Sequence, residues 1–439
     1  MTTVVAGILM LGFLVLVHEL GHFTVAKMCG VKVLKFSIGF GPKLVSYRYG
    51  ETEYLICAVP LGGYVQMLGE GTGIEGEASV EAAGDHDRSF AAKPVSRRLA
   101  IVGAGPLMNL LLPLLILPIS FMIGVQMPTY VEEPACIGYV LPDSDADRGG
   151  FLAGDCLLAV NGEPIEHWNA ANLRFVSEAG SPLLFDVNRD GRQVQVLLAA
   201  DNNSLEGMQG LGMMPELAAR IGGVAPGMAA DQAGLQVGDR ILRIEGQTVD
   251  SWYDLRELIQ TTQGTAVDVL LERDGREFSV VMTPEQREDD GDFLLGVAPQ
   301  HELELKRFGP VAAFREGAAK TGELIELTIV FIQKLFTGNV SAKNIGGPIT
   351  VVQVAGQAAQ TDIAAILTVL AFISIQLGIL NLLPIPILDG GHILFYLFEL
   401  ITRRPVSMRA REIAQQIGLA MLLMLMVLAF YNDIIRLWG

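Results

Sequence analysis

Apolar and polar positions divide the 439-residue chain into four long apolar runs separated by polar segments. The first starts at Met1 and continues through "VLVHELGHFT" (residues 15–24) to about Met28. At about 1.5 Å per residue it is long enough to cross the roughly 30 Å hydrocarbon core of a bilayer. The second, Leu99 to about Met127, follows Arg97 and Arg98 and is interrupted by Pro106, Pro113 and Pro118. The third runs from about Ile363 to Leu388 and the fourth from about Ile417 to Ile435. Each is expected to be a membrane-crossing helix. Ile393 to Leu400 is too short to cross and reads as a helix lying in or near the membrane. Ile325 to Phe336 is flanked by Glu323, Glu326 and Lys334, and reads as an amphipathic or packed helix, with a fifth span as the alternative.

The intervening segments have other periods. Lys32 to Ile38 and Glu53 to Leu61 alternate and read as strands, followed by Gly62-Gly63. "GEGTGIEGEASVEAAGDHD" (69–87) has almost no large apolar residue and is expected to be a mobile loop with His86 facing solvent. Beyond the second run the chain repeats itself at an offset of 84 residues. Ile137-Gly138 falls on Ile221-Gly222, Gly154-Asp155 on Gly238-Asp239, Trp168 on Trp252, Arg189-Asp190-Gly191 on Arg273-Asp274-Gly275, and Leu211-Gly212 on Leu295-Gly296. Two tandem domains of one fold are therefore expected, each with short strands, an "RDG" hairpin and a helix near Ala170 to Glu178 or Trp252 to Gln260. The organisation that follows is 1–29, first span; 30–97, β region and loop; 98–128, second span; 129–215 and 216–300, the repeats; 301–361, connecting helices; 362–388, third span; 389–412, a short segment; and 413–439, fourth span.

Composition and charge set the orientation. The chain is 51% hydrophobic and only 18% charged, which suits a membrane protein. The loop 30–98 carries eight Lys and Arg, from Lys32 to Arg98, and the loop 401–416 carries Arg403, Arg404, Arg409 and Arg411. Both are expected on the cytoplasmic side. Residues 129–300 hold 29 acidic and 11 basic residues, essentially the whole net charge of −17. With four spans, this acidic segment and both termini fall outside the cytoplasm. Nucleic acid is excluded as a partner, because the polar part repels phosphates. The first run is not expected to be a cleaved signal peptide: "MTTVV" supplies no basic region and no small-residue cleavage site follows. Cys136 and Cys156 both lie in the external segment, where a disulfide is permitted and two buried thiols are the alternative.

His18 and His22 are spaced i, i+4, so a helix puts them one turn apart on one face, where they can share a cation; Glu19 can reach a water beside it. This HExxH pattern asks for a third protein ligand. His301-Glu302 is one candidate, but it lies in the external segment, whereas HELGH sits near the cytoplasmic end of its span. "NLLPIPILDGGH" (381–392) ends the third span at the same depth. Asp389 is then the expected ligand, on a segment unwound by Pro384 and Pro386, with a helix cap as its bland alternative; Asn381 could donate to a substrate carbonyl.

HELGH in the first span, NxxPxPxLDG in the third and the inserted repeat together resemble the site-2 protease family of intramembrane zinc peptidases. "FSIGFGP" (36–42), "PLGGYVQM" (60–67), "GAGPLMNLLL" (103–112) and "GNVSAKNIGGPITV" (338–351) are similar to its sigma-E-regulating group in Gram-negative bacteria. Each repeat, with "AGLQVGDRILRIEGQTV" in the second, resembles a circularly permuted bacterial PDZ domain. The resemblance implies a multi-pass α-helical membrane protein of four transmembrane helices, with a cytoplasmic-side β-hairpin and two tandem periplasmic PDZ domains, in the inner membrane. It implies zinc held by His18, His22 and Asp389, Glu19 as general base and later acid, and Asn381 assisting substrate. It also implies single-span membrane substrates, namely an anti-sigma factor already shortened by another protease and remnant signal peptides. The β-hairpin would clamp substrate as an added strand, and the PDZ pair, with the connecting helices as a gate, would filter it by size. The chain is expected to act as a monomer in the lipid bilayer. Rival readings are a PDZ scaffold or chaperone with a vestigial metal site and a membrane zincin that degrades misfolded proteins.

Overall fold

The structure is a computed structural model that describes residues 2–70, 85–178, 182–198, 207–287, 291–300, 303–337 and 346–438. Most of the loop 69–87, His301-Glu302 and all of "GNVSAKNI" lie outside the described residues. The chain forms two units. One ends at Val125 and resumes at Lys306; the other takes Gln126–Leu305.

The first unit holds helices α1 (Thr2–Met28), α2 (Val95–Leu111), α3 (Pro113–Ile123), α4 (Pro310–Thr337), α5 (Pro348–Thr361), α6 (Ile363–Leu382), α7 (Asp389–Thr402) and α8 (Met408–Trp438). Among the described residues four helical stretches are long and apolar enough to cross a membrane: Thr3–Met28, Val95–Ile123, Ile363–Leu382 and Met408–Ile435. Ile325 to Phe336, for which a fifth span was the alternative, belong to the longer α4, which is not among these four stretches.

Three span ends differ from the sequence expectation. The second span stops at Ile123, and Val125–Pro128 is a strand; an apolar run does not by itself distinguish the two. The third stops at Leu382, because Pro384 disfavours helical geometry at Leu383, which is extended. The fourth begins at Met408, its polar first turns continuing the helix beyond the apolar run.

Two apolar clusters hold the bundle. Met10, Leu14, Ile116, Leu117, Ala355, Leu370 and Ile373 join α1, α3, α5 and α6. Ala26, Val33, Phe36, Val65, Met67, Ile101 and Tyr396 join α1, α2 and α7 to a hairpin of β1 (Val33–Tyr49) and β2 (Thr52–Met67). The hairpin pairs antiparallel from Val33↔Met67 to Tyr49↔Thr52 and is longer than the expected strands. Its register shifts blur the alternation on which that expectation rested. Its inner half is buried, while Leu44, Tyr47 and Tyr49 near the turn are exposed.

In the second unit the repeat becomes two copies of one β fold. The first sheet has the order Glu163–Pro164, Cys156–Val160, Leu183–Arg189, Arg192–Leu198; the second has Gln247–Thr248, Arg240–Ile244, Val267–Arg273, Arg276–Met282. The helices Trp168–Glu178 and Trp252–Thr261 correspond, and each copy has its own core. The RDG turns have Asp190 and Gly191 at φ 51° and 79°, and Asp274 and Gly275 at 52° and 75°, as a two-residue hairpin with right-handed strand twist demands. Cys136 and Cys156 form a disulfide.

The GD and RDG repeats are coupled, which spacing alone did not suggest. Arg189 donates from Nε and Nη2 to the two Asp155 oxygens at 2.7 and 2.6 Å; Arg273 does the same to Asp239 at 2.6 and 2.7 Å. Both carboxylates are 1% exposed. Removing one partner strands the other's charge, here the buried Asp239 carboxylate. Arg273→Ala is therefore expected to lower stability, read from denaturant unfolding of the full chain by tryptophan fluorescence. Burial pushes the Asp239 carboxyl up, but the Arg273 guanidinium and the Gln236 amide more than offset it and hold it below its usual range. A depressed carboxylate stabilises the fold above its unfolded value and loses that contribution as pH falls through the folded one. The difference between Arg273→Ala and the natural chain should thus be full at neutral pH and shrink below about pH 4.

Candidate metal centre

Helix α1 sets His18 and His22 one turn apart, and their Nε2 atoms stand 3.1 Å from each other. The third group arrives from a fold-back. After α6 ends, Ile385 N–H donates to Leu383 O at 2.7 Å and Leu388 N–H to Ile385 O at 2.8 Å, and α7 starts at Asp389. Gly390 and Gly391 make this possible: a Cβ on either would lie 2.2 Å from Leu383 O or 2.3 Å from Ile385 O. Asp389 thus occupies the first turn of a new helix and not an unwound stretch, a correction to the expectation. The two prolines end α6, but the glycines restart the helix at once. Asp389 Oδ2 comes to 3.1 Å from His18 Nε2 and 3.6 Å from His22 Nε2.

These three are the one His/Cys/Asp/Glu group among the described residues that could hold a metal ion. The donor set fits zinc: four ligands at about 2.0–2.1 Å in a tetrahedron sit about 3.3 Å from one another. His22 Nδ1 lies 2.9 Å from Ile101 O, a carbonyl that can only accept, so Nδ1 carries a proton and, in the neutral ring, Nε2 presents the lone pair that a metal requires. Facing a carboxylate oxygen, Nε2 is placed to share a cation with it. Glu19 follows on α1 and packs on the inner end of β2, where a Cβ on Gly63 would be 3.0 Å from its Cγ.

The profile described as "Peptidase family M50" matches residues 6–425. The chain belongs to that family. A protein of Neisseria meningitidis (serogroup A / serotype 4A), provisionally named a zinc metalloprotease, is 37% identical over 100% of both chains. "Regulator of sigma-E protease RseP" is 36% identical in Salmonella typhimurium and 35% in Escherichia coli K12, covering 98% of both chains in each case. The M50 chain is a zinc metalloprotease of the site-2 type, an intramembrane class that its four apolar helices suit.

Asn381 lies on the last turn of α6, half-buried, and makes no hydrogen bond to His18, Glu19, His22 or Asp389 among the described residues. The structure also brings in a helix to which sequence reasoning gave no role. Gly105 of α2 faces the histidines so closely that a Cβ there would stand 2.3 Å from His22 Nε2 and 2.8 Å from His18 Nε2. On the reverse side of the contact, a Cβ on Gly21 would lie 2.4 Å from Ala104 O, so α1 and α2 cross with backbones in near contact. Ile101, Gly105 and Asn109 follow at intervals of four within "GAGPLMN" and its approach, one face of a helix. That spacing was the available signal, although period alone cannot say what a face looks at.

Proposed function

We propose that this M50 protease cleaves transmembrane segments of single-span membrane proteins, with zinc held by His18, His22 and Asp389. The observation that carries the reading is the trio of donor atoms at 3.1, 3.1 and 3.6 Å beside Glu19. Zinc bound there supplies a Lewis acid and lowers the pKa of an attacking water. Glu19 takes the proton of that water as it adds to the scissile carbonyl, then returns it to the leaving amine. Asn381 donates to the carbonyl of the bound substrate. A helical substrate has its carbonyls tied up and must unwind first; pairing with the β1–β2 hairpin as an added strand drives that step.

By the family resemblance, and in keeping with relatives named as regulators of sigma-E, the substrates are an anti-sigma factor already cut by another protease, and remnant signal peptides, in an envelope stress response. The two β copies are PDZ domains that act as a size filter, with α4 and α5 as the gate they control. The charge of the loops puts both termini and the β copies on the periplasmic side of the inner membrane and the metal centre toward the cytoplasm. The protease acts as a monomer.

Metal analysis tests the ligand set. Purified His22→Phe and Asp389→Ala proteins are expected to lose most bound zinc relative to the natural chain; full zinc content in Asp389→Ala would remove that ligand. The filter is tested separately: a truncated single-span substrate should be cut at least tenfold faster than its full-length form, and equal rates would remove the filter.

A further inference from the structure

Both histidines turn Nε2 toward Asp389, so each Nδ1 has to carry the ring proton and find an acceptor if Nε2 is to keep its lone pair. For His22 the acceptor is the Ile101 carbonyl. For His18 the group within reach is the Asn109 side chain, whose Nδ2 stands 3.4 Å from His18 Nδ1. Asn109 is 1% exposed, and its Oδ1 is buried without a hydrogen-bond partner. In this orientation the amide offers a donor to a nitrogen that must itself donate, while its acceptor is idle. Amide oxygen and nitrogen are nearly isosteric, and their assignment follows from their partners. A half-turn about the last side-chain bond exchanges them. Oδ1 then accepts from His18 Nδ1–H, and Nδ2 takes the place of the idle oxygen.

We propose that Asn109 is a positioning residue: its Oδ1 accepts the hydrogen bond from His18 Nδ1–H and so fixes the tautomer and ring angle that aim His18 Nε2 at the metal. Its place is held from behind, because Ser374 Oγ donates to the Asn109 carbonyl at 2.7 Å and ties this turn of α2 to α6. One face of α2 thereby serves both histidines, with a backbone carbonyl at Ile101 for one, a side-chain amide at Asn109 for the other and a gap at Gly105 between them. The inference rests on the ligand role proposed for His18.

Zinc affinity of the full-length protein in detergent, measured by chelator competition, tests it. Asn109→Leu, which fills the space and cannot accept, is expected to weaken zinc binding about 10–100-fold. Asn109→Asp, whose carboxylate accepts from the same N–H, is expected to stay within about threefold of the natural chain. Undiminished affinity in Asn109→Leu would overturn the proposal, as would Asn109→Asp binding as weakly as Asn109→Leu. His18→Phe separates the two levels. If it binds zinc like the natural chain, the ligand assignment falls and the role of Asn109 with it. If it loses zinc while Asn109→Leu does not, only the role of Asn109 falls.

Discussion

Glu19→Gln is expected to keep zinc and lose cleavage of a single-span reporter by about 10²–10⁴-fold, the usual contribution of a positioned acid–base group. The substitution is nearly isosteric, and Glu19 is not one of the three donors gathered around the centre, so metal content should match the natural chain. The neutral amide cannot take a proton at the first step and has none to return at the second. The packing of α1 on β2 at Gly63 is preserved, because the change lies beyond Cγ. Zinc analysis and reporter cleavage on the same preparation decide the matter. Near-normal cleavage with full zinc would remove Glu19 from the mechanism, whereas joint loss of zinc and cleavage would mean that it helps to hold the metal.

Much of this candidate site was legible in the sequence, for a definite reason. HELGH carries its geometry in its spacing, since i and i+4 share a helix face whatever surrounds them. Asp389 followed from a second local signal, a proline-broken span ending in LDGG at the same expected depth as HELGH. What local signals did not carry was the helix that packs against the histidines. Gly105, Asn109 and the Ile101 carbonyl act through contacts 79 to 91 residues distant in the chain, and no period reports which helix faces which. The fold shows the same division. The repeat at 84 residues foretold two like domains, and its shared Arg-Asp-Gly read as a hairpin turn, but nothing in the spacing showed that its Arg pairs with the buried Asp of the shared Gly-Asp. Span ends were missed where an apolar run passed from helix into strand at Val125 or across Pro384. The disulfide was left open, because sequence places both cysteines in one compartment without bringing them together.

Gly105→Ala should be among the most damaging single-methyl changes in this chain, with an effect on the metal and not on the fold alone. The added Cβ would sit 2.3 Å from His22 Nε2, 2.6 Å from His22 Cε1 and 2.8 Å from His18 Nε2, all below any real Cβ contact. The clash can be relieved by swinging both rings or by separating α1 from α2. Either response disturbs the centre: separation stretches the His22 bond to Ile101 O that fixes that ring, and ring movement turns both Nε2 atoms away from Asp389. Displacing two of three ligands by a few tenths of an ångström is enough to break a centre whose tolerance is about 0.2 Å in bond length. We expect zinc affinity to fall at least about 100-fold, beyond the range for a single lost supporting contact, with cleavage falling in step. Alanine is the better helix former, so helix propensity alone predicts a small gain in stability. A control separates the causes: Gly103→Ala, on the same helix, has only Ile393 Cδ1 at 3.9 Å near its new methyl and should bind zinc normally. If Gly105→Ala also bound zinc normally, α2 would have to stand farther from the histidines than this packing places it, and the role assigned to that helix face would fail.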